Sequence, residues 1–122
     1  MTRYYILITF KAVIMIMVSY YNMKGWFSMF RIYLLNTGEI WEWDSVPMNL
    51  SRKVKQAIED LKWWRDNYPK IFDDPEMITL HLVNDGRLTG IIHVTDYFTS
   101  YSRVNPDDTF STCVVYRKER VE

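Results

Sequence analysis

Residues 77–94 read MITLHLVNDGRLTGIIHV. Ile78, Leu80 and Leu82 alternate with Thr79, His81 and Val83 ahead of Asn84-Asp85-Gly86-Arg87, and an apolar run begins at Leu88. Period-two alternation on both sides of an Asp-Gly turn predicts an antiparallel β-hairpin. Two registers compete. A two-residue turn mixes the faces. A three-residue loop with Gly86 as the bulge residue pairs Leu82 with Leu88, Leu80 with Gly90 and Ile78 with Ile92. Every apolar partner then lies inside, so the bulged loop is the expectation. His81 would face Thr89, four strand residues from His93, a separation of roughly 13 Å at about 3.3 Å per residue. On that reading the imidazoles share neither a metal nor a proton.

Working outward, the second strand runs from Leu88 to about Phe98, and Asn105-Pro106-Asp107-Asp108 leads into a strand from Thr109 to Lys118. Upstream, Leu50, Val54, Ala57, Ile58, Leu61 and Trp64 follow the i, i+3/i+4, i+7 rule of an amphipathic helix. It starts near Ser51, with Asn49 or Ser51 as N-cap. It ends by Asn67-Tyr68, because Pro69 disfavours helical geometry in the residue before it. Further upstream a strand from about Trp26 to Leu35 and a short strand Ile40 to Asp44 flank Thr37-Gly38. A two-residue loop there sets Leu35 against Ile40 and Leu34 against Trp41. Phe30, Ile32, Leu34, Trp41 and Trp43 then share a core face, and Arg31, Tyr33, Glu42 and Asp44 share the other. The expectation is a half-buried hairpin.

Residues 4–21 carry one charge, Lys11. Apolar side chains occupy the even positions from Tyr4 to Tyr20, whereas Arg3, Thr9, Lys11 and Ser19 are odd, which favours a β extension. The stretch is near the lower length limit for a membrane span, and a central lysine opposes insertion by about 2.5–3.5 kcal/mol. A strand this long is a hazard if left at a sheet edge, so pairing with a second copy is one expectation. Met23 and Met29 offer alternative starts, in which case residues 1–22 need no structural role. The total is βββ-α-βββ: an α+β single domain over residues 1–122, with a mostly antiparallel sheet of about five to six strands and one packed helix.

Composition narrows the function classes. Fifteen Lys/Arg balance fifteen Asp/Glu over 122 residues, which argues against a nucleic-acid coater with its high pI. One cysteine, Cys113, excludes a disulfide scaffold. With two histidines it leaves too few ligands for a structural zinc site. Four glycines could hardly build a phosphate-cradling loop, and no G-x-G-x-x-G or P-loop occurs. Cys113, mid-strand beside Val114, reads as a buried structural thiol, although a dyad with His93 is the chemical alternative. Asp73-Asp74/Glu76 and Asp107-Asp108 read as turn-stabilising carboxylates rather than a cation loop. No catalytic residue, metal or cofactor is expected.

Three features point to binding. Arg52, Lys53 and Lys55 fill the first turn of the helix, where the macrodipole is already positive, and make a candidate anion or acidic-partner site. Screening by solvent or by Glu42 and Asp44 is the bland reading. Trp63 lies about 100° from the apolar stripe, among Arg52, Gln56, Glu59, Asp60 and Asn67, as an interface hot spot would. The rival is that sheet or N-terminal chain wraps over it. The stretch from Asp96 to Arg103 interleaves Tyr97, Tyr101 and Arg103 with Ser and Thr, a composition suited to binding or to stacking on nucleobases. The bland reading there is a strand with one aromatic face. Together these predict a small, non-enzymatic, cytoplasmic protein that binds a protein partner through Trp63, Tyr97, Tyr101 and Arg103, as an inhibitor, immunity protein or adaptor would. The alternative is a nucleotide or nucleic-acid binding module.

Overall fold

The computed structural model describes residues 2–5 and 29–117. Expectations that rest on residues 6–28, including most of the 4–21 stretch and the strand start near Trp26, lie outside the described residues. The described strands are β1 (Thr2–Tyr5), β2 (Phe30–Leu34), β3 (Glu39–Trp43), β4 (Ile78–Asn84), β5 (Arg87–Val94), β6 (Phe98–Val104) and β7 (Phe110–Tyr116). They form a single antiparallel sheet in the order β1-β3-β2-β4-β5-β6-β7. One helix, α1 (Leu50–Asn67), and a 3₁₀ turn (Pro69–Ile71) connect β3 to β4. The α+β class and the mid-chain helix match the sequence reading.

Helix α1 lies against β4 and β2. Ala57 and Leu61 are buried, and Leu50, Val54, Ile58 and Trp64 pack partly buried against the same core. The full predicted stripe therefore faces the sheet. Across from it stand Phe30, Ile32, Leu34, Trp41, Phe72, Ile78, Leu80, Leu82, Ile92 and Val94. Asn49 occupies the N-cap position but makes no side-chain cap hydrogen bond. The helix stops where expected: Tyr68 N–H donates to the Trp64 carbonyl at 2.7 Å, and Pro69 follows.

The β4–β5 hairpin uses parts of both competing registers. Asp85 (φ 52) and Gly86 (φ 78) form a two-residue turn, with Asn84 opposite Arg87 and Val83 opposite Leu88. Two consecutive residues at positive φ are what a type I′ turn requires. The ladder then shifts, and Leu82 faces Gly90. The extra residue is Thr89, not Gly86, and its hydroxyl donates to the Leu82 carbonyl at 3.2 Å. Beyond this bulge Leu80 faces Ile92 and Ile78 faces Val94. Displacing the pairing by two residues beyond the bulge leaves those side chains on their expected faces, because the pleat repeats every two residues. Leu88, expected inside with Leu82, instead pairs with Val83 and packs into the cluster on the opposite face.

The same arithmetic governs β2–β3. Leu34 pairs with Glu39 and Ile32 with Trp41, so the loop has four residues, Leu35 to Gly38, instead of the expected two. Gly38 (φ 78) donates its N–H to the Leu34 carbonyl at 2.9 Å. Asn36 explains the longer loop. Its side-chain amide donates to the Met77 carbonyl and accepts from the Thr79 N–H, both at 2.9 Å, which ties the turn to the start of β4.

Two expectations of burial need correction. The second face of the β2–β3 hairpin is not solvated: Arg31 is 1% exposed, and Tyr33, Leu35, Ile40 and Val83 form a second buried cluster. Arg31 Nε is held by Glu42 Oε2 at 2.8 Å across the strand pair, so the guanidinium enters the interior with a counter-charge. Cys113, by contrast, is exposed. It lies on β7, the edge strand, all of whose residues are exposed. A strand position implies burial only where another layer covers it.

The C-terminal half also holds one strand more than expected. Thr95 Oγ1 accepts the N–H groups of Tyr97 at 3.2 Å and Phe98 at 3.1 Å, and Thr95 N–H donates to the Phe98 carbonyl. This threonine-built turn separates β5 from β6 without a glycine or proline to announce it.

Candidate partner-binding surface

Trp63 is 53% exposed, as its position off the apolar stripe predicts. Its ring stands edge-on to Trp64 at 5.2 Å and lies 6.0 Å from Tyr68, while Trp64 and Tyr68 are 5.4 Å apart. Trp64 roots this triplet in the core, and Trp63 and Tyr68 present it to solvent. Asn67 fixes the local backbone by donating its side-chain amide to the Trp63 carbonyl at 2.8 Å. Such rings are large, apolar and rotationally restricted, so they can be buried by a partner at small entropic cost. In the sequence Tyr68 marks only the end of the helix. Its i+4 spacing from Trp64 is the signal that places the rings together.

Tyr97, Tyr101 and Arg103 are exposed, but they do not form one platform with Trp63: among the described residues no ring contact joins them to the triplet. Tyr101 and Arg103 lie opposite Ile92 and Gly90, on the sheet face that carries α1. Tyr101 folds over Gly90, where an added Cβ would come within 2.9 Å of its ring. Tyr97 lies in the β5–β6 turn. It lines a cleft of about 260 Å³ with Phe98, Met77, Thr95 and the carboxyl-bearing residues Asp74, Glu76 and Asp96. Three acidic neighbours make that cleft a poor place for a phosphate.

At the start of α1 no acidic residue occupies the first turn. Arg52 and Lys55 are exposed and Lys53 is half-buried. None of the three is in an ion pair among the described residues, and Glu42 is engaged by Arg31. The three cations therefore remain uncommitted.

The histidines lie closer than expected. His81 faces Ile91 and His93 faces Thr79, so they are diagonal neighbours on the face away from α1. Diagonal positions are about 7–8 Å apart. The Thr89 bulge moves the partner of His81 by two residues and creates this proximity. Burial, then the nearby His93, pushes the His81 pKa down from 6.5 to about 4. Burial also lowers that of His93. The Cys113–His93 dyad does not form: Cys113 faces Tyr101 and His93 faces Ser100, which puts the two on opposite faces with β6 between their strands.

The acidic turns serve structure. Asp107 Oδ1 accepts the Thr109 N–H at 3.1 Å and its hydroxyl at 2.6 Å, and Asp74 Oδ1 accepts the Glu76 N–H at 3.0 Å. Among the described residues no group of three or more His, Cys, Asp or Glu could hold a metal ion. Nor is any helix there long and apolar enough to cross a membrane. Glu39, which no sequence signal singled out, is 0% exposed, and Oε1 accepts the Trp41 indole N–H at 2.8 Å.

The arrangement defines an α+β domain with an aromatic projection at the end of α1. No protein-family model matches the chain, and no curated protein or solved structure matches it.

Proposed function

We propose that this is a small, non-enzymatic, cytoplasmic binding protein that acts by engaging a protein partner, as an inhibitor, immunity protein or adaptor does. The observation that carries the reading is the exposed Trp63–Tyr68 pair, held in place by Trp64. Tryptophan and tyrosine dominate the energetics of protein interfaces, and a pre-ordered pair loses little freedom on binding. Tyr97, Tyr101 and Arg103 would form a separate contact region.

The test is a pull-down from the native host using the wild-type chain and Trp63→Ala/Tyr68→Ala, with and without nuclease. A nuclease-resistant protein captured by the wild type and reduced at least tenfold with the variant supports the reading. Equal capture by both, or recovery of nucleic acid without protein, overturns it.

A nucleotide or nucleic-acid ligand is the second reading, favoured by the uncommitted Arg52, Lys53 and Lys55. It predicts affinity that falls steeply with salt and is lost in the triple Gln variant of those residues. Binding that is indifferent to both removes it.

A further inference from the structure

β7 is an edge strand whose seven residues, FSTCVVY, are exposed at every position. Its inner edge pairs with β6 without a bulge from Phe98↔Tyr116 to Val104↔Phe110. The phase of that ladder follows from its two ends. Arg117 N–H donates to the Tyr97 carbonyl and Asn105 N–H to the Thr109 carbonyl, both at 2.8 Å. Odd-numbered residues of β7 therefore direct their peptide groups at β6. Even-numbered residues, Phe110, Thr112, Val114 and Tyr116, direct theirs outward. Among the described residues no strand lies beyond them.

Sheet edges of this kind are usually blunted by a lysine, a proline, a bulge or extreme shortness. β7 has none of these and no charge at all. At the opposite edge of the sheet, β1 carries Arg3. An uncharged, β-branched and aromatic outer edge is a template for another strand.

We infer that β7 pairs antiparallel with β7 of a second copy of this chain, about a two-fold axis through Cys113. The strand is self-complementary in that register. Cys113 is its central residue, so an axis there is the only one that overlaps all seven positions. All four outward-facing residues are then bonded, because Thr112 meets Val114 of the other copy and Phe110 meets its Tyr116. A two-fold axis normal to the sheet keeps the faces in register. The Phe98–Tyr116 ring pair, at 6.4 Å, extends onto the second copy's Phe110. No like charges oppose one another. The contact is isologous and closes on itself, leaving neither β7 edge free for a third chain.

Cys113 reports this register. Its peptide groups face β6, so opposite its own copy it occupies a non-hydrogen-bonded site, where Cα atoms approach to about 4.5 Å. That separation is within the range a disulfide spans.

The experiment is sedimentation of the full chain under reducing conditions, together with crosslinking by glutathione disulfide, which takes up the two electrons the paired thiols release. The expected result is twice the 14.8 kDa chain mass, with covalent dimer formed through Cys113. Ser111→Cys in a Cys113→Ser background should crosslink at least tenfold more slowly, because position 111 faces 115. Val114→Pro removes an outward N–H without breaking the β6 ladder and should give a monomer with an unchanged circular dichroism spectrum. Val114→Lys makes the same test if proline disturbs the strand. A monomer at all concentrations, a dimer indifferent to the folded Val114 variant, or equal crosslinking at 111 and 113 overturns the inference. So does capture of a different protein's strand by β7 while the purified chain remains monomeric.

Discussion

The centre of the sheet and its β6–β7 end are built from similar residues and meet opposite fates. Phe30, Ile32, Leu34 and Tyr33 on β2 are buried on both faces, whereas Phe110, Val114, Val115 and Tyr116 on β7 are exposed on both. Local β-propensity does not separate them, since both segments are aromatic and β-branched. On the helix side the difference is coverage, since α1 lies over β2 and β4. On the other side β2 belongs to the buried cluster of Tyr33, Leu35, Ile40 and Val83, and the residues of β7 belong to neither cluster. Stability should therefore concentrate at the centre, and interaction capacity at the β7 edge and the helix end.

Mutations can test that division. The largest effect is expected from Leu61→Ala, which empties a fully buried site beneath the helix and should cost about 4 kcal/mol in urea unfolding. Val115→Ala on β7 should change stability by less than about 0.5 kcal/mol. Equal costs would erase the contrast. Glu42→Gln neutralises the carboxylate that holds Nε of the 1% exposed Arg31 side chain and should cost about 3 kcal/mol. The same substitution at Glu76, in the exposed 73–76 loop, should cost almost nothing.

A third prediction concerns pH. His81 has a pKa of about 4 in the fold against 6.5 when unfolded. Its neutral form is favoured by folding, so its contribution is fully present above pH 6.5. It declines as pH falls from 6.5 towards 4, because the unfolded chain takes up the proton first. Below about pH 4 no further loss arises from this group. A loss of about 3 kcal/mol is expected over that interval, read from urea midpoints, and His81→Gln should flatten the curve. An unchanged slope in that variant would remove His81 as the cause.

The smallest effects belong where packing is loose. Gly90→Ala brings a Cβ to 2.9 Å from the Tyr101 ring. Tyr101 is partly exposed and can swing away, so a cost of about 1 kcal/mol is expected. Combining it with Tyr101→Ala should give less than the sum of the two single costs. Strict additivity would show that the two do not interact.

Much of the fold is legible because patterns of period 2 and 3.6 survive errors of register. Both hairpins pair two residues away from the expected register over most of their length, and an even shift exchanges no faces. Leu88, between the turn and the bulge, is the apolar residue that changes sides. The histidine separation was not protected in this way, since a two-residue shift along the strand converts distant positions into diagonal neighbours. Trp63 is legible as exposed because it lies off a well-defined stripe. Its coupling to Tyr68 depended on how the helix ends. The burial of Arg31 and Glu39 was hidden, because a charged residue enters an interior only where a partner such as Glu42 or Trp41 is brought within bonding distance, which the pattern of polar and apolar positions does not report. The exposure of Cys113 was hidden for the converse reason.

The linear sequence determined most of the elements: a helix over residues 50–67 with its apolar stripe, a turn at Asn84–Arg87, and strands whose alternation assigns most side chains a face. These follow from backbone geometry within a few residues. Only the tertiary structure decided the bulge at Thr89, the extent of helix coverage and the placing of β7 at an edge. Each depends on contacts between segments far apart in the chain, and their sum determines which apolar residues form a core and which remain available to a partner.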